Sequence, residues 1–496
     1  MASWWPSRIV VMLAILVVVA FMWKEEDSFS SGVSFAERQP GSTAFSSNPE
    51  QESIHTSLGT SSSTWQGDRM RSFHGKRQFS KPGTYKRRES TASSTCTKWV
   101  VITTISQATE LMQQLALLKD WCTVVVGDMR SPANFTLPKF EAKMVYLSPK
   151  DQQALPFRIV KHLPWNHFGR KNIGYLYAIQ HGARVLWDTD DDNLLATGQL
   201  PWRAEGEGLV TGRGETPAMA ASTTRNFNPY ALSAFGAQME GCKQSPGGHC
   251  KLGEVPWPRG FPLDEIRRST SHTVPHNKIR APAVLQSLAN HEPDVDAIFR
   301  LTRSHLIHFD DAPHIVVLPA GLMAPWNAQA TLFHADAFWG LLLPVTVHGR
   351  VSDIWRSFMT QRLMWNCGLS LGFATPVVRQ VRNPHTYLGD FRAEQPLYER
   401  AGRVAEILLD YQPSSASFWE SLPAQMEDLT IELFERGVLG KQDVDVAQAW
   451  LKDLMDLGLE LPQPRRHRSH HVSPAPANEN KTVGDIDPVP DAMAGK

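Results

Sequence analysis

The stretch Arg184-Val185-Leu186-Trp187-Asp188-Thr189-Asp190-Asp191-Asp192-Asn193 decides how this chain is read. A short apolar run that favours a strand ends in four carboxylates and an amide within six positions. Carboxylates crowded this closely repel one another and destabilise a fold unless a cation or a basic ligand neutralises them. The donors are all oxygen, a hard set suited to Mg²⁺ or Mn²⁺, and no Cys or His is interleaved to indicate zinc. At the carboxyl end of a buried strand they would project into the crevice where open α/β sheets bind ligands. The expectation is a divalent-metal site that holds a nucleotide diphosphate. A solvated acidic turn is the plain alternative, because turns favour Asp and Asn.

The residues before this run carry a parallel-sheet pattern. Residues 99–105 and 123–126 are strand-like, the second ending in Gly127-Asp128, and 144–147 form a third short strand. Between the first two, Leu111, Leu115 and Leu118 share one helical face. A helix is predicted from Arg170 to His181, closed by Gly182 where a left-handed residue belongs. The order β-α-β-β-α-β implies a mainly parallel, Rossmann-like α/β sheet.

After the acidic run, residues 198–290 are rich in Gly, Pro and Trp and give no clear period. Residues 295–301 and 314–318 read as strands. The alternation over 327–333 would put Asn327, Gln329 and Thr331 on one strand face, suited to hydrogen-bonding a sugar or simply facing solvent. Gly349-Arg350-Val351-Ser352-Asp353 opens a helix with Trp355, Phe358, Met359 and Leu363 on its buried side. Asp353 sits near the start, where a carboxylate is favourable for structural reasons alone. Residues 394–459 are amphipathic and read as a small all-α appendage, followed by a basic, then Pro-rich tail that reads as disordered.

Residues 9–23 are uninterruptedly apolar, with Arg8 before them and Lys24-Glu25-Glu26-Asp27 after. Fifteen helical residues span only about 22 Å, but Trp4, Trp5 and a snorkelling Arg8 extend the reach towards a thin bilayer. The charge balance orients the amino terminus to the cytosol. A cleaved signal peptide is the competing reading, with Val18-Val19-Ala20 as a passable site. The expected plan is a cytosolic tail (1–8), a signal anchor (9–23), a disordered stem (24–97), a catalytic-type α/β domain (98–384), a helical region (385–460) and a tail (461–496). Asn134-Phe135-Thr136 and Asn480-Lys481-Thr482 are glycosylation sequons, usable only in the lumen.

Lys+Arg and Asp+Glu both number 50, so no basic footprint argues for nucleic acid. Five Cys without a CxxC pair indicate neither a zinc module nor a disulfide framework. Cys242 and Cys250 bracket a Gly/Pro-rich loop and would either pair in an oxidising lumen or remain two free thiols.

Several blocks together resemble one family. Residues 99–106, 126–128, 169–183 (Gly169-Arg170-Lys171-Asn172-Ile173-Gly174-Tyr175 onward), Asp190-Asp191-Asp192-Asn193, 295–302, 324–333 and 361–365 resemble the STELLO proteins. The resemblance implies a Golgi type II membrane protein with a GT-A-like mixed sheet, associated in plants with assembly and trafficking of a cellulose synthase complex. Asp188 stands where Glu is expected in plant members. Gly349-Arg350-Val351-Ser352-Asp353-Ile354-Trp355 is similar, more distantly, to a phrase in the reversibly glycosylated polypeptides, which act as UDP-arabinopyranose mutases.

These resemblances imply a glycosyltransferase that binds a nucleotide-sugar donor, a UDP-sugar through the resemblance alone, and a glycan acceptor. Asp190 and Asp192 would hold Mn²⁺ or Mg²⁺. Asp190, Asp191, Arg170, Lys171, Asn172, Asn327, Gln329 and Arg350 would contact substrate, and Asp353 would be the general base. His348 and His385 are further candidate ligands, each more simply a loop histidine. Two rivals stay open: a haloacid-dehalogenase-type phosphatase using Asp188-x-Asp190, and a non-catalytic Golgi factor that keeps the fold to assist a glycan synthase.

Overall fold

The computed structural model describes residues 71–79, 96–138, 143–196, 200, 216–232, 238–239, 255–276, 279–303, 306–309, 314–382 and 386–464. The expectations for the anchor at 9–23, for Cys242 and Cys250, for His385 and for the tail beyond 464 lie outside them. Among the described residues no helix is long and apolar enough to cross a membrane.

The amino-terminal half runs β1 (Lys98–Thr103), α1 (Glu110–Leu115), β2 (Cys122–Val126), β3 (Lys143–Leu147), α2 (Pro149–Ala154), α3 (Lys171–Gln180), β4 (Val185–Thr189), β5 (Asn193–Leu195) and β6 (Thr216–Ser222). Next come β7 (Gln238–Met239), β8 (Ser271–Pro275), β9 (Val284–His291), α4 (Ala297–Thr302), β10 (Ile307–His308), β11 (His314–Val317) and β12 (Ala330–His334). The chain finishes with α5 (Gly349–Asn366), β13 (Leu371–Gln380), α6 (Tyr387–Ala393), α7 (Gln395–Asp410), α8 (Leu422–Glu435) and α9 (Lys441–Asp456).

One mixed sheet runs β3-β2-β1-β4-β12-β9-β13-β11-β6-β8. Its first four strands are parallel, as the sequence implies. The chain moves outward from β1 to β3, then returns to place β4 on the other side of β1. That reversal opens a crevice at the carboxyl ends of β1 and β4, where the acidic run lies. β12 then pairs antiparallel with β4, Thr331 opposite Asp188, and with β9. The result is a mixed α/β sheet that fits a glycosyltransferase fold.

α3 ends as expected, with Gly182 at φ +90° past its carboxyl end. Gly174 on this helix faces β1 and β2 so closely that a Cβ would stand 2.6 Å from Val101 Cγ1 and 2.7 Å from Val126 Cγ2. α5 departs from expectation: 15 of its 18 residues are buried, so it is a central helix enclosed on nearly all sides rather than one with a single buried face.

Five further departures matter. The run 295–301 is not a strand: from Ala297 it forms α4, because the Asp296 carboxylate caps the helix by accepting from Phe299 N–H at 2.8 Å. Strand β12 starts only at Ala330, so Asn327 and Gln329 precede it, and Thr331 is fully buried rather than cleft-facing. The C-terminal helices are not a separate appendage. Leu397, Leu408, Leu429, Trp450 and Leu454 share one core with the sheet, and Trp450 Nε1 donates to the Trp339 carbonyl at 2.9 Å.

Residues 71–79, within the segment read as a stem, lie along α8. Glu427 accepts from the N–H of Gln78 at 2.7 Å and of Phe79 at 3.0 Å, and Phe79 is 2 % exposed. A disulfide also joins Cys96 to Cys122, Cα atoms 6.3 Å apart, bridging the approach to β1 and the start of β2. The irregular Cys spacing had concealed it.

Substituting Gly174→Val should overpack the α3–sheet contact and destabilise the fold by about 1–3 kcal/mol, read as a lowered Tm. An unchanged Tm would mean that helix and sheet are free to separate there.

Candidate active site

The site is built from the end of β4 outward. Asp188 is fully buried and meets two buried cations: Lys171 Nζ at 2.7 Å from α3 and Arg356 Nη1 at 2.8 Å from α5. Lys171 Nζ also donates to the Thr189 carbonyl at 2.7 Å and lies 3.5 Å from Asp190 Oδ1. Asp188 therefore anchors the loop and is not a nucleophile: with no exposed surface it cannot meet a phosphate ester. This removes the phosphatase reading.

Asp190, Asp191 and Asp192 line a cleft of about 280 Å³. Each is held differently. Asp190 keeps 36 % of its side-chain surface exposed. Asp191 accepts from Thr104 Oγ1, just past β1, at 2.6 Å. Asp192 accepts from Gln380 Nε2, at the end of β13, at 3.2 and 3.1 Å. Burial pushes the Asp190 carboxyl up to about 7; the Lys171 ammonium opposes the rise, and repulsion from Asp192 and Asp188 adds to it. Burial raises Asp191 too, against the Thr104 hydrogen bond. The loop thus holds more negative charge than its own cations neutralise.

The cleft is also lined by guanidinium and amide groups: Arg259, Arg350, Arg382, Asn327, Gln329 and Gln380, together with Asp294. Arg259 is clamped between two carboxylates, 2.7 Å from Asp294 and 2.8 Å from Asp353. Burial raises the Asp294 carboxyl, but the adjoining Arg259 outweighs it and holds it well below the usual range. Asn327 Nδ2 donates to Asp294 at 2.8 Å, and Gln329 Nε2 donates to Gln380 Oε1. One hydrogen-bonded line therefore runs from Gln329 through Gln380 to Asp192.

The expected site residues divide on this map. Asp190, Asp191, Asp192, Asn327, Gln329 and Arg350 meet in the cleft. Lys171 lies just beneath it, touching Asp190 from below. Arg170 does not reach it: its Nε and Nη2 donate to Gln152 and its plane stacks on Trp165 at 3.6 Å. Asn172 is also turned away, exchanging two hydrogen bonds with the Leu343 backbone at 2.9 Å. Asp353 is 3 % exposed; its two oxygens accept from Arg259 at 3.0 and 2.8 Å, and one also from Ala328 N–H at 3.2 Å. His348 caps α5, its Nδ1 accepting from Arg350 N–H at 3.2 Å.

Arg259, Asp294, Gln380 and Arg382 were not found from sequence. They come from distant segments, three of them loops, and no local spacing brings them together.

Among the described residues no cluster of three or more His, Cys, Asp and Glu is arranged to hold a metal alone. Mg²⁺-type ions, however, are commonly bound by one or two carboxylates, the remaining positions going to water and phosphate. Asp190 and Asp192, both oxygen donors facing one cleft in a loop short of positive charge, fit that requirement.

Residues 350–487 match the profile of the family described as STELLO glycosyltransferases, a match that begins at the cleft residue Arg350. The chain is 31 % identical over 388 residues to "Probable glycosyltransferase STELLO1" of Arabidopsis thaliana, covering 75 % of this chain and 47 % of that protein. It is 31 % identical over 379 residues to "Probable glycosyltransferase STELLO2" of the same plant, covering 75 % of this chain and 46 % of that protein. The chain spans about half the length of these curated relatives. With this similarity and the mixed α/β fold in hand, the chain carries a domain of the STELLO glycosyltransferase family.

Proposed function

We propose that the cleft binds a nucleotide sugar, a UDP-sugar in the first instance, with Mn²⁺ or Mg²⁺ at Asp190 and Asp192, and passes the glycosyl group to a polysaccharide or glycoconjugate acceptor. The observation that carries this reading is the mixed lining of one cleft: three aspartates at a sheet switch point share about 280 Å³ with guanidinium and amide groups. A divalent ion there would neutralise diphosphate oxygens and stabilise the charge developing on the leaving group.

The protein's own groups then have separable tasks. Lys171 and Arg356 fix Asp188, so the loop that presents Asp190 cannot drift. Thr104 and Gln380 hold Asp191 and Asp192 against mutual repulsion. Asn327 and Gln329 supply amides of the type that pair with sugar hydroxyls. Asp353 orients Arg259 rather than serving as base: each oxygen accepts from Arg259 and again from a backbone N–H, of Ile354 or Ala328, so no lone pair is left for an acceptor.

That last feature favours a second reading, binding without transfer, in which the protein assists a glycan synthase complex. Hydrolysis of UDP- and GDP-sugars by the purified chain separates the two: turnover supports a catalyst, and binding without turnover supports the second. Residence in the Golgi membrane through residues 9–23 belongs to this proposal. The Cys96–Cys122 disulfide supports it, since such bonds persist in oxidising compartments.

Two outcomes test the site. The double variant Asp190→Asn/Asp192→Asn should lose Mn²⁺-dependent UDP-sugar binding in calorimetry while keeping a cooperative melt; retained binding removes the site. Because Asp190 titrates near 7, a cation must displace its proton at lower pH. Affinity for Mn²⁺ with UDP should therefore rise roughly tenfold from about pH 6 to about pH 8. A flat profile would mean that Asp190 is not a ligand.

A further inference from the structure

Asn134-Phe135-Thr136, in the connection from β2 to β3, has no part in the cleft. The chain around it is held at several points. Asp128 N–H donates to Ser131 Oγ at 2.8 Å, and Ser131 Oγ donates to the Thr104 carbonyl at 2.7 Å, which ties the exit of β2 to the end of β1. Phe135 N–H donates to the Pro132 carbonyl at 3.1 Å, closing a turn with Asn134 inside it. The Phe135 ring stacks on Tyr146 of β3, centroids 4.1 Å apart, and both rings pack against the core that Val100, Ile102 and Val125 share.

Asn134 and Thr136 are exposed, while Phe135 between them is half-buried. The Asn134 amide is engaged through its oxygen: Oδ1 accepts from Gln107 Nε2 at 3.0 Å, and among the described residues no group accepts from Nδ2. Nδ2 is the atom that an N-linked sugar occupies, and a substituted amide keeps its oxygen as an acceptor. The folded turn can therefore carry a glycan with the Gln107 hydrogen bond intact and no buried group displaced.

We propose that Asn134 bears an N-linked glycan. In the joining step Nδ2 loses a proton and bonds to C1 of an oligosaccharide. The bond from that carbon to the diphosphate of a lipid carrier breaks, and the diphosphate leaves with the electron pair. Phe135 and Tyr146, each half-buried, leave aromatic surface near the attachment point for the C–H face of the first sugar. The inference rests on the proposed lumenal placement and not on what the cleft binds.

The test is expression of the full chain in eukaryotic cells, then treatment with a peptide N-glycosidase in heavy-oxygen water. That treatment turns a glycan-bearing Asn into a labelled Asp, so peptide mass reads Asn134 separately from Asn480. Asn134 should be labelled. Thr136→Ala should abolish the label, and Thr136→Ser, which keeps the hydroxyl, should retain it. Protease protection of the domain in sealed vesicles reports its compartment independently. A protected domain with Asn134 unlabelled overturns the inference and leaves the lumenal placement standing. Label that survives Thr136→Ala also overturns it, and a domain digested in sealed vesicles ends both.

Discussion

Asp188 has no exposed surface, and its two oxygens are met by buried cations from two helices, Lys171 on α3 and Arg356 on α5. A buried ion pair adds little net stability over an apolar replacement, but breaking one costs about 3–5 kcal/mol. What this pairing supplies is position. It ties the end of β4 to the two helices that pack together over it, and so fixes the point from which the next three aspartates follow. Lys171 is shared, because its ammonium also stands 3.5 Å from Asp190. The loop is therefore partly neutralised from beneath and left short of positive charge on the cleft side.

The rest of the cleft lining comes from loops and element ends that the sheet gathers. β12 pairs with β4 and β9, which brings Asn327, Gln329 and Asp294 near the acidic loop. β13 runs parallel to β9 and delivers Gln380 to Asp192. α5 sets Asp353 against Arg259. The cleft is thus a product of the tertiary fold: its carboxylates sit at the end of a parallel strand, and its arginines come from a loop (Arg259), the first turn of α5 (Arg350) and the residues just after β13 (Arg382).

The first half of this arrangement was legible in the sequence. β1, β2, β3, β4 and α3 are continuous runs with clear periods, and their order alone implies the switch point at the acidic run. The second half was not. Residues 295–301 are apolar enough for either element, and the Asp296 cap decides for a helix. α5 was misjudged because polar residues such as Arg356 and Gln361 are buried with partners. Arg170 and Lys171 at the amino end of α3 read alike as cationic donors to a phosphate, and Asn172 follows them in the family block, yet a helix turns successive residues to different faces and only Lys171 points to the acidic loop. Arg259 and Arg382 lie 123 positions apart in the chain, and only the tertiary fold makes them neighbours of one cleft.

The most direct test of the central claim, that the loop after β4 captures a divalent ion together with a nucleotide, is anomalous diffraction at the manganese edge from crystals grown with Mn²⁺ and UDP. The account predicts a manganese peak at inner-sphere distance, about 2.1 Å, from carboxylate oxygens of Asp190 or Asp192, with diphosphate oxygens on its other side. A manganese site elsewhere, or nucleotide bound with Asp190 still turned to Lys171 and no metal beside it, would contradict it.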